Sequence, residues 1–281
     1  MTASPARRLW AAVEPLHAVV YFAPETAAAA KEAGLRGYWM GYFAGRLAPL
    51  GAIGPAAATS VLFGFAPAMV ARALPDAWSF ASPVDVLLSR LSAVETALSR
   101  ALGPSGLDEL ASLLEQAASA CHFDGRPLAA AWAAVPRPAG VLARLWLAAT
   151  VLREHRGDGH VLAAVHAGLT GLETTLTHIG DGVIARGDVQ PHRGWSDTDW
   201  ESAVSRLVAR GLLDSSGRLT VSGLEVRRRI EEDTDRLAAA PLEALGPAGL
   251  ARLLELAVPL SRALIDTGVI PVPNPMGVPR P

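Results

Sequence analysis

The residues from Leu47 to Ala71 contain no charged side chain, although an arginine lies directly before and directly after them. An uncharged stretch of this length is sufficient to cross a bilayer as a helix. It also contains prolines and glycines, which would leave backbone groups unpaired in lipid: Pro49, Gly51, Gly54, Pro55, Gly64 and Pro67. We therefore predict a kinked helix pair inside a helical bundle, and no membrane segment.

The composition is typical of a globular helical protein. Apolar residues make up 51% of the chain and charged residues 19%, and the net charge of −2 provides no overall attraction to nucleic acid or acidic membranes. Cys121 is the one cysteine, which excludes an intrachain disulfide and a cysteine-based zinc site. The N-terminus has no signal-peptide pattern. We therefore expect a cytoplasmic protein.

Apolar residues at intervals of three or four predict helices along most of the chain. A clear case begins at Ser82-Pro83, a favourable pair for a helix N-terminus, and its apolar positions are Val84, Leu87, Leu88, Leu91, Val94 and Leu98. Further helices are predicted over residues 4–22 with a break at Glu14-Pro15, 26–46, 107–121, 141–153, 161–179, 196–210, 222–236 and 247–267. The predicted fold class is therefore mainly α.

Glu14 and His17 are three residues apart, which would place both on one helix face, as in a Glu-x-x-His metal pair. No other histidine follows a glutamate at this spacing, which argues against a di-iron site. Apolar and aromatic residues surround His17, as in a ligand pocket. One hypothesis makes His17, with Glu14, catalytic or a ligand of haem or a single metal ion. The other makes it a buried histidine that hydrogen-bonds to Glu14 or to a backbone carbonyl.

Aromatic residues near His17 are candidates for contacting a hydrophobic small molecule. The candidates are Tyr21, Phe22, Tyr38, Trp39 and Tyr42, with Arg46 as the counter-charge of an anionic ligand. Aromatic side chains at helical spacing are also typical of a packed core, so both interpretations stay open.

Residues 153–160 are the most polar segment. It contains four side chains that can bind a metal ion: Glu154, His155, Asp158 and His160. The alternative is a solvated helix junction, in which Gly157 ends one helix and Asp158 caps the next.

The last hundred residues have a different pattern. A helix ends in Arg210-Gly211-Leu212-Leu213, extended runs flank Ser216-Gly217, and Leu219-Thr220 leads through Gly223 into a long helix. The extended runs predict a small β-hairpin. From about Trp195 to Thr267 this order resembles the winged helix-turn-helix of multiple-antibiotic-resistance-type (MarR-like) repressors. That resemblance implies a recognition helix before the hairpin, or wing, and a homodimer formed with the helices after it.

The whole chain also resembles an uncharacterised actinobacterial family usually labelled helix-turn-helix. The segments that carry this resemblance are 14–25, 46–51, 153–160 and 231–235. It implies no particular activity. Together the patterns predict a helical bundle with a ligand pocket over residues 1–180, a winged helix-turn-helix domain with its closing helices over 181–268, and a proline-rich tail over 269–281.

The charges of the predicted recognition helix disfavour DNA binding. Asp197, Asp199 and Glu201 occupy its first turns, where they would repel phosphates, although Arg206 and Arg210 are candidates for DNA contact. We therefore predict a winged-helix protein that binds a hydrophobic small molecule in a pocket around His17, with weak or absent DNA binding. The alternatives are an enzyme acting on such a molecule, with or without haem or a metal ion, and a MarR-like repressor.

Overall fold

The computed structural model describes residues 4–103, 107–274 and 276–281, and confirms the prediction of a mainly helical fold. The α-helices are α1 (Pro5–Phe22), α2 (Pro24–Glu32), α3 (Gly37–Leu47), α4 (Pro55–Val61), α5 (Pro67–Ala71), α6 (Ala77–Phe80), α7 (Pro83–Ala101), α8 (Leu107–Ser119), α9 (Pro127–Ala133), α10 (Val141–His166), α11 (Gly171–Gly180), α12 (Arg186–Val189), α13 (Asp197–Ala209), α14 (Val221–Leu237) and α15 (Ala240–Asp266). Short 3₁₀ turns cover Ala48–Leu50 and Gln190–His192.

Helices α1 and α10 form the centre of the larger hydrophobic core. All residues of α1 from Ala12 to Tyr21 are buried, and a helix that is buried on every side must have neighbours on every side. Helix α1 packs against α10 and α15, and α10 also packs against α7, α8, α9 and α14. The predicted break at Pro15 is wrong, because the helix continues through this proline inside the surrounding packing.

The uncharged stretch from Leu47 to Ala71 forms a 3₁₀ turn followed by the two short helices α4 and α5. Prolines begin both helices, at position 55 and position 67, where the missing N–H costs no helical hydrogen bond. Within the part of the chain that the structure describes, no helix combines the length and the hydrophobicity needed to cross a membrane.

Helix α10 runs without interruption through residues 153–160, so the predicted helix junction at Gly157 and Asp158 is wrong. The carboxylate of Asp158 accepts the backbone N–H groups of Leu128 and Ala129, each at 3.0 Å. It therefore caps the first turn of α9, not a new helix of its own. The sequence contains the capping residue, but its partner lies thirty residues away in the chain.

A second, smaller core joins α11, α13 and α14 through side chains such as Leu172, Trp200, Leu207 and Ile230. Helix α11 lies before residue 181, where the sequence placed the start of the second domain. Helix α15, predicted within residues 181–268, belongs to the larger core and packs on α1 and α8. Its regular part begins at Pro247, after the non-helical Gly246, as predicted.

The predicted β-hairpin wing is absent from the fully described segment between α13 and α14. A single antiparallel bridge joins Leu213 and Leu219, and no strand forms. The backbone N–H of Leu219 instead donates to the carbonyl of Gly180 in α11. The carboxylate of Asp214 accepts backbone N–H groups of Ser216 and Arg218 inside the turn. These bonds close a tight turn and leave too little chain for a ladder of strand pairs.

Candidate functional site

A cavity of about 500 Å³ lies between α1, α2, α3 and α7, and we call it the α2–α3 cavity. Alanines of α2 and aliphatic side chains of α1 and α7 form much of its wall. Three of the predicted ligand-binding residues line it, namely Tyr21, Tyr38 and Tyr42. Its volume lies within the range of small-molecule sites, and its wall is mostly apolar, as such sites are.

Small residues on α3 create room beside the α2–α3 cavity. A Cβ atom at Gly41 would lie 3.0 Å from the Cβ of Ala30, so glycine allows α2 and α3 to approach closely. A Cβ atom at Gly45 would collide with Nη1 of Arg90. Glycine at position 45 therefore allows a guanidinium group to lie against the backbone of α3.

Arg90 extends from α7 into the wall of the cavity and is only 8% exposed. Its guanidinium carbon lies 5.4 Å from the ring centroid of Tyr21 and 5.7 Å from that of Trp146. Its Nε and Nη2 atoms are buried and have no hydrogen-bond partner. Burial lowers the pKa of Arg90 relative to its ordinary value, because a desolvated cation is disfavoured.

Arg90 was missed because the predicted apolar stripe of α7 coincides only in part with the buried face of the helix. Val84 and Leu88 of the predicted apolar stripe are exposed. The residues that are buried lie at helical spacing around the arginine and are mostly small: Val86, Arg90, Ala93, Val94, Ala97 and Leu98. The sequence did contain a signal for this arginine. Small apolar residues lie four positions before Arg90 and three, four and seven positions after it, which places Arg90 on the same helix face as these residues.

His17 is 1% exposed and uses both ring nitrogens in hydrogen bonds. Thr150 donates its hydroxyl proton to the carbonyl of Trp146 (2.8 Å), so its oxygen accepts the Nδ1–H of His17 (2.9 Å). Burial lowers the pKa of His17 well below its ordinary value, so the ring is neutral and its Nε2 is a proton acceptor. Nε2 therefore accepts the hydroxyl proton of Tyr21 at 3.2 Å. Because Tyr21 lines the α2–α3 cavity, this hydrogen bond connects His17 to the cavity wall.

Glu14 is buried but does not pair with His17. Its carboxylate accepts the indole N–H of Trp10 at 3.0 Å and lies 3.6 Å from Nε of Arg153. Burial raises the pKa of Glu14, partly offset by the nearby charge of Arg153. The structure thus assigns Glu14 and His17, predicted as one catalytic pair, to separate hydrogen-bond networks.

Arg46 and Arg153 share the buried carboxylate of Glu154, and we call these three residues the Glu154 cluster. Arg46 binds Glu154 with two hydrogen bonds of 2.9 and 2.8 Å, and Arg153 adds one of 2.8 Å. Burial would raise the pKa of Glu154, but the two guanidinium groups hold it well below its ordinary value. The charge of Arg46 is therefore already matched inside the protein, and its side chain does not line the α2–α3 cavity.

Phe22 and Trp39, also predicted as ligand-binding, do not line the α2–α3 cavity. Both are partly buried and pack against the larger core. Trp39 stacks on Phe43 and meets Phe65 edge-on, which corresponds to the core interpretation of the aromatic residues.

Three of the four predicted metal ligands on α10 have different partners, and the fourth, His155, has none at its Nε2. Glu154 binds arginines and Asp158 caps α9, as described above, while His160 hydrogen-bonds through Nδ1 to Thr234 of α14 at 3.1 Å. His155 is also buried. Across residues 4–103, 107–274 and 276–281, no three His, Cys, Asp or Glu side chains are grouped as metal ligands would be.

A larger cleft of about 790 Å³ lies between the two cores, with His160 and His178 in its wall. Their ring centroids are 5.9 Å apart. Burial lowers the pKa of His160 to about 4 and that of His178 to about 3. Arg227, which also lines this cleft, is paired with Glu231.

A model of a family described as a helix-turn-helix family matches residues 6–271 of the chain. The match covers nearly the whole length, both cores included. The chain belongs to this helix-turn-helix family. No curated protein and no solved structure shows significant similarity to it.

In this helix-turn-helix protein, the two arginines predicted to contact DNA are engaged within the chain. Arg206 of α13 donates to the carboxylate of Glu173 at 2.9 Å, and Arg210 donates to the carbonyl of Gly168 at 2.9 Å. Ser196 caps α13 in a reciprocal arrangement with Asp199. Arg206 therefore faces the first turn of α11, and Arg210, directly after α13, faces the loop that connects α10 to α11.

Proposed function

We propose that this helix-turn-helix protein binds a small hydrophobic molecule in the α2–α3 cavity. The observation that carries the proposal is the cavity itself, which is of ligand size and has alanines and tyrosines in its wall. A packed helical core contains few voids larger than a water molecule, so an opening of this size between four helices favours a binding role. His17 does not line the cavity, but its hydrogen bond fixes the orientation of the Tyr21 hydroxyl.

We further propose that DNA binding is weak or absent, and that the C-terminal part of the chain serves for packing and for a homodimer. The intramolecular bonds of Arg206 and Arg210 support this, as do the acidic side chains at the start of α13. A MarR-like repressor would instead need salt-sensitive affinity for duplex DNA. A gel-shift assay with the protein's own promoter at low salt tests this, and a shift that Arg206→Ala and Arg210→Ala abolish would overturn the proposal.

Binding in the cavity can be tested with N-phenyl-1-naphthylamine, a neutral dye that fluoresces in apolar sites. Ala30 lines the α2–α3 cavity, whereas Ala28 is exposed on the same helix and does not line it. We expect saturable binding to the wild type and to Ala28→Phe, and loss of binding in Ala30→Phe. Equal binding to all three proteins would contradict the proposal.

An enzyme acting on a hydrophobic molecule is the second candidate, favoured by the chain of hydrogen bonds from Thr150 through His17 to Tyr21. As Tyr21 takes a proton from a substrate, its own hydroxyl proton would pass to Nε2 of His17, so the relay conserves protons. His17→Gln should then abolish turnover while N-phenyl-1-naphthylamine still binds. Mass spectrometry of hydrophobic acids and alcohols incubated with both proteins provides the measurement.

His17 would bind haem iron or a metal ion only if one ring nitrogen lost its hydrogen bond to Tyr21 or Thr150. The absorption spectrum and elemental analysis of protein purified without chelator test this role. A Soret band or a bound metal ion that His17→Ala removes would favour the cofactor-dependent enzyme over the binding protein.

A further inference from the structure

We propose that the molecule bound in the α2–α3 cavity carries an anionic group, a carboxylate in the first instance, and that Arg90 is its counter-charge. This inference rests on the proposed binding function. It adds the chemical class of the ligand and a recognition residue that sequence analysis did not select.

Arg90 lacks the hydrogen-bond partners that the other buried arginines have. Three arginines are buried in the described part of the chain. Arg126 donates to the carbonyls of His122 and Leu237, and Arg227 pairs with a glutamate. Arg90 leaves Nε and Nη2 without a partner. A buried cation is costly unless it is paired, and an anion entering the cavity would pair it.

The charges of the cavity wall also favour an anionic ligand. Besides Arg90, the wall contains Lys31 and Arg36, both exposed near its edge, and none of the wall residues is an aspartate or glutamate. A site lined by one sign of charge concentrates ligands of the opposite sign. The rest of the wall is mostly apolar, so an apolar body with one negative group matches it better than a sugar or a nucleotide would.

The tyrosine hydroxyl groups of the wall are less available to a ligand than the guanidinium group of Arg90. Tyr21 donates its hydroxyl proton to His17, and Tyr38 donates its own to the backbone carbonyl of Tyr21 at 3.3 Å. Two of the three tyrosine hydroxyl protons in the wall are therefore already in use, and the hydroxyl oxygen of Tyr42 accepts from Arg46. The guanidinium of Arg90 retains unused donors, and its planar shape suits a carboxylate.

Two dyes that differ by a single anionic group provide the test. N-phenyl-1-naphthylamine is neutral, and 8-anilinonaphthalene-1-sulfonate has the same ring system with a sulfonate. We expect the wild type to bind the sulfonate about ten- to a hundredfold more tightly, as expected for a charge-assisted hydrogen bond in a desolvated site. Arg90→Met should remove this preference and leave the affinity for the neutral dye within about threefold.

Two further variants serve as controls for Arg90→Met. Gly45→Ala keeps the arginine but displaces its guanidinium group, so it should also reduce the preference, and it replaces Arg90→Met if that variant does not fold. Arg36→Met removes an exposed cation of the same wall and should change the preference little. Unlabelled 1-naphthoate should displace the neutral dye at concentrations where its methyl ester does not.

The outcomes separate this inference from the function on which it rests. If Ala30→Phe blocks the neutral dye but the wild type shows no preference for the sulfonate, the cavity binds ligands and the inference is overturned. A preference that disappears in Arg36→Met and persists in Arg90→Met overturns it as well. If neither dye responds to Ala30→Phe, the proposed function itself fails.

Discussion

Arg46 and Arg90 lie on the neighbouring helices α3 and α7 and are both largely shielded from solvent, yet their surroundings differ. Arg46 meets the carboxylate of Glu154 in a two-bond contact, and Arg153 completes the Glu154 cluster. Arg90 has aromatic rings beside it and no carboxylate. The fold thus satisfies one buried guanidinium internally and leaves the other unsatisfied beside a cavity.

The presence or absence of a counter-charge distinguishes a structural arginine from a candidate recognition residue in this protein. A paired buried charge orders the core, and its removal leaves the partner as an unpaired buried charge. An unpaired one reduces stability, so its presence favours a role that the folded chain alone does not explain. Substitutions at paired and unpaired charges should therefore differ in their effect on stability.

Glu154→Gln should have the largest effect, because it leaves two buried guanidinium groups without their shared carboxylate. We expect a loss of about 3–5 kcal/mol in the free energy of unfolding, measured by urea denaturation. Glu109→Gln is the matched control, since Glu109 makes a similar two-bond contact with Arg252 on the surface. Comparable losses in the two variants would contradict a special role for burial.

Arg46→Met and Arg90→Met compare the two arginines directly. The first should lose about 2–4 kcal/mol of unfolding free energy, because Glu154 keeps only one of its two cations. The second should be neutral or stabilising, because it removes a cation that has no counter-charge and substitutes an apolar chain of similar length. A large loss of stability in Arg90→Met would mean that this arginine also serves the fold.

The pH dependence distinguishes the Glu154 cluster from the buried histidines. Burial holds the pKa of His160 near 4 and that of His178 near 3, so the unfolded chain binds protons below about pH 6.5 while the folded chain does not. The unfolding free energy should therefore fall between pH 7 and pH 5, by about 2 kcal/mol for each histidine. Asp158, whose pKa burial raises to about 6, opposes this trend in part.

Glutamine variants at the two histidines provide the check. Urea denaturation of His160→Gln and His178→Gln at pH 7 and pH 5 should show a smaller loss than the wild type, whereas His166→Gln on the exposed surface serves as the control. The Glu154 cluster should not contribute over this interval, because its arginines keep the carboxylate ionised. Unchanged pH dependence in both histidine variants would refute the assignment.

Arg206→Ala should have the smallest effect. Its partner Glu173 is buried, but the arginine side chain is half exposed, so solvent screens the pair. We expect a loss of at most about 1 kcal/mol in unfolding free energy, again by urea denaturation. A loss as large as that of Arg46→Met would mean that exposure is a poor guide to the value of these pairs.

The sequence predicted local features well and long-range partners poorly. Helical periodicity and capping residues located α7, α13 and most of α15, because those signals act within a few residues. The same local reasoning ended a helix at Gly157, since nothing near Asp158 in the chain reveals that it caps α9. A β-hairpin was predicted from turn residues alone, whereas the backbone of Leu219 bonds to Gly180 in α11.

The candidate site shows the same limit. Three tyrosines of the cavity wall were selected from their aromatic character and spacing near His17. Arg46 was selected as the counter-charge because it is close to them in sequence, but Glu154, more than a hundred residues away, already neutralises it. Arg90 was missed because the predicted stripe of α7 left out part of its buried face, and its lack of a partner is visible only in three dimensions.

We propose above that the α2–α3 cavity holds an apolar anion with its charge at Arg90. The most direct test is a crystal structure of the protein with 8-anilinonaphthalene-1-sulfonate. The account predicts the ring system between α2 and α3, with a sulfonate oxygen within about 3.2 Å of a guanidinium nitrogen of Arg90. A dye bound elsewhere, or one whose sulfonate meets only Lys31 or Arg36 while Arg90 stays unpaired, would contradict the claim.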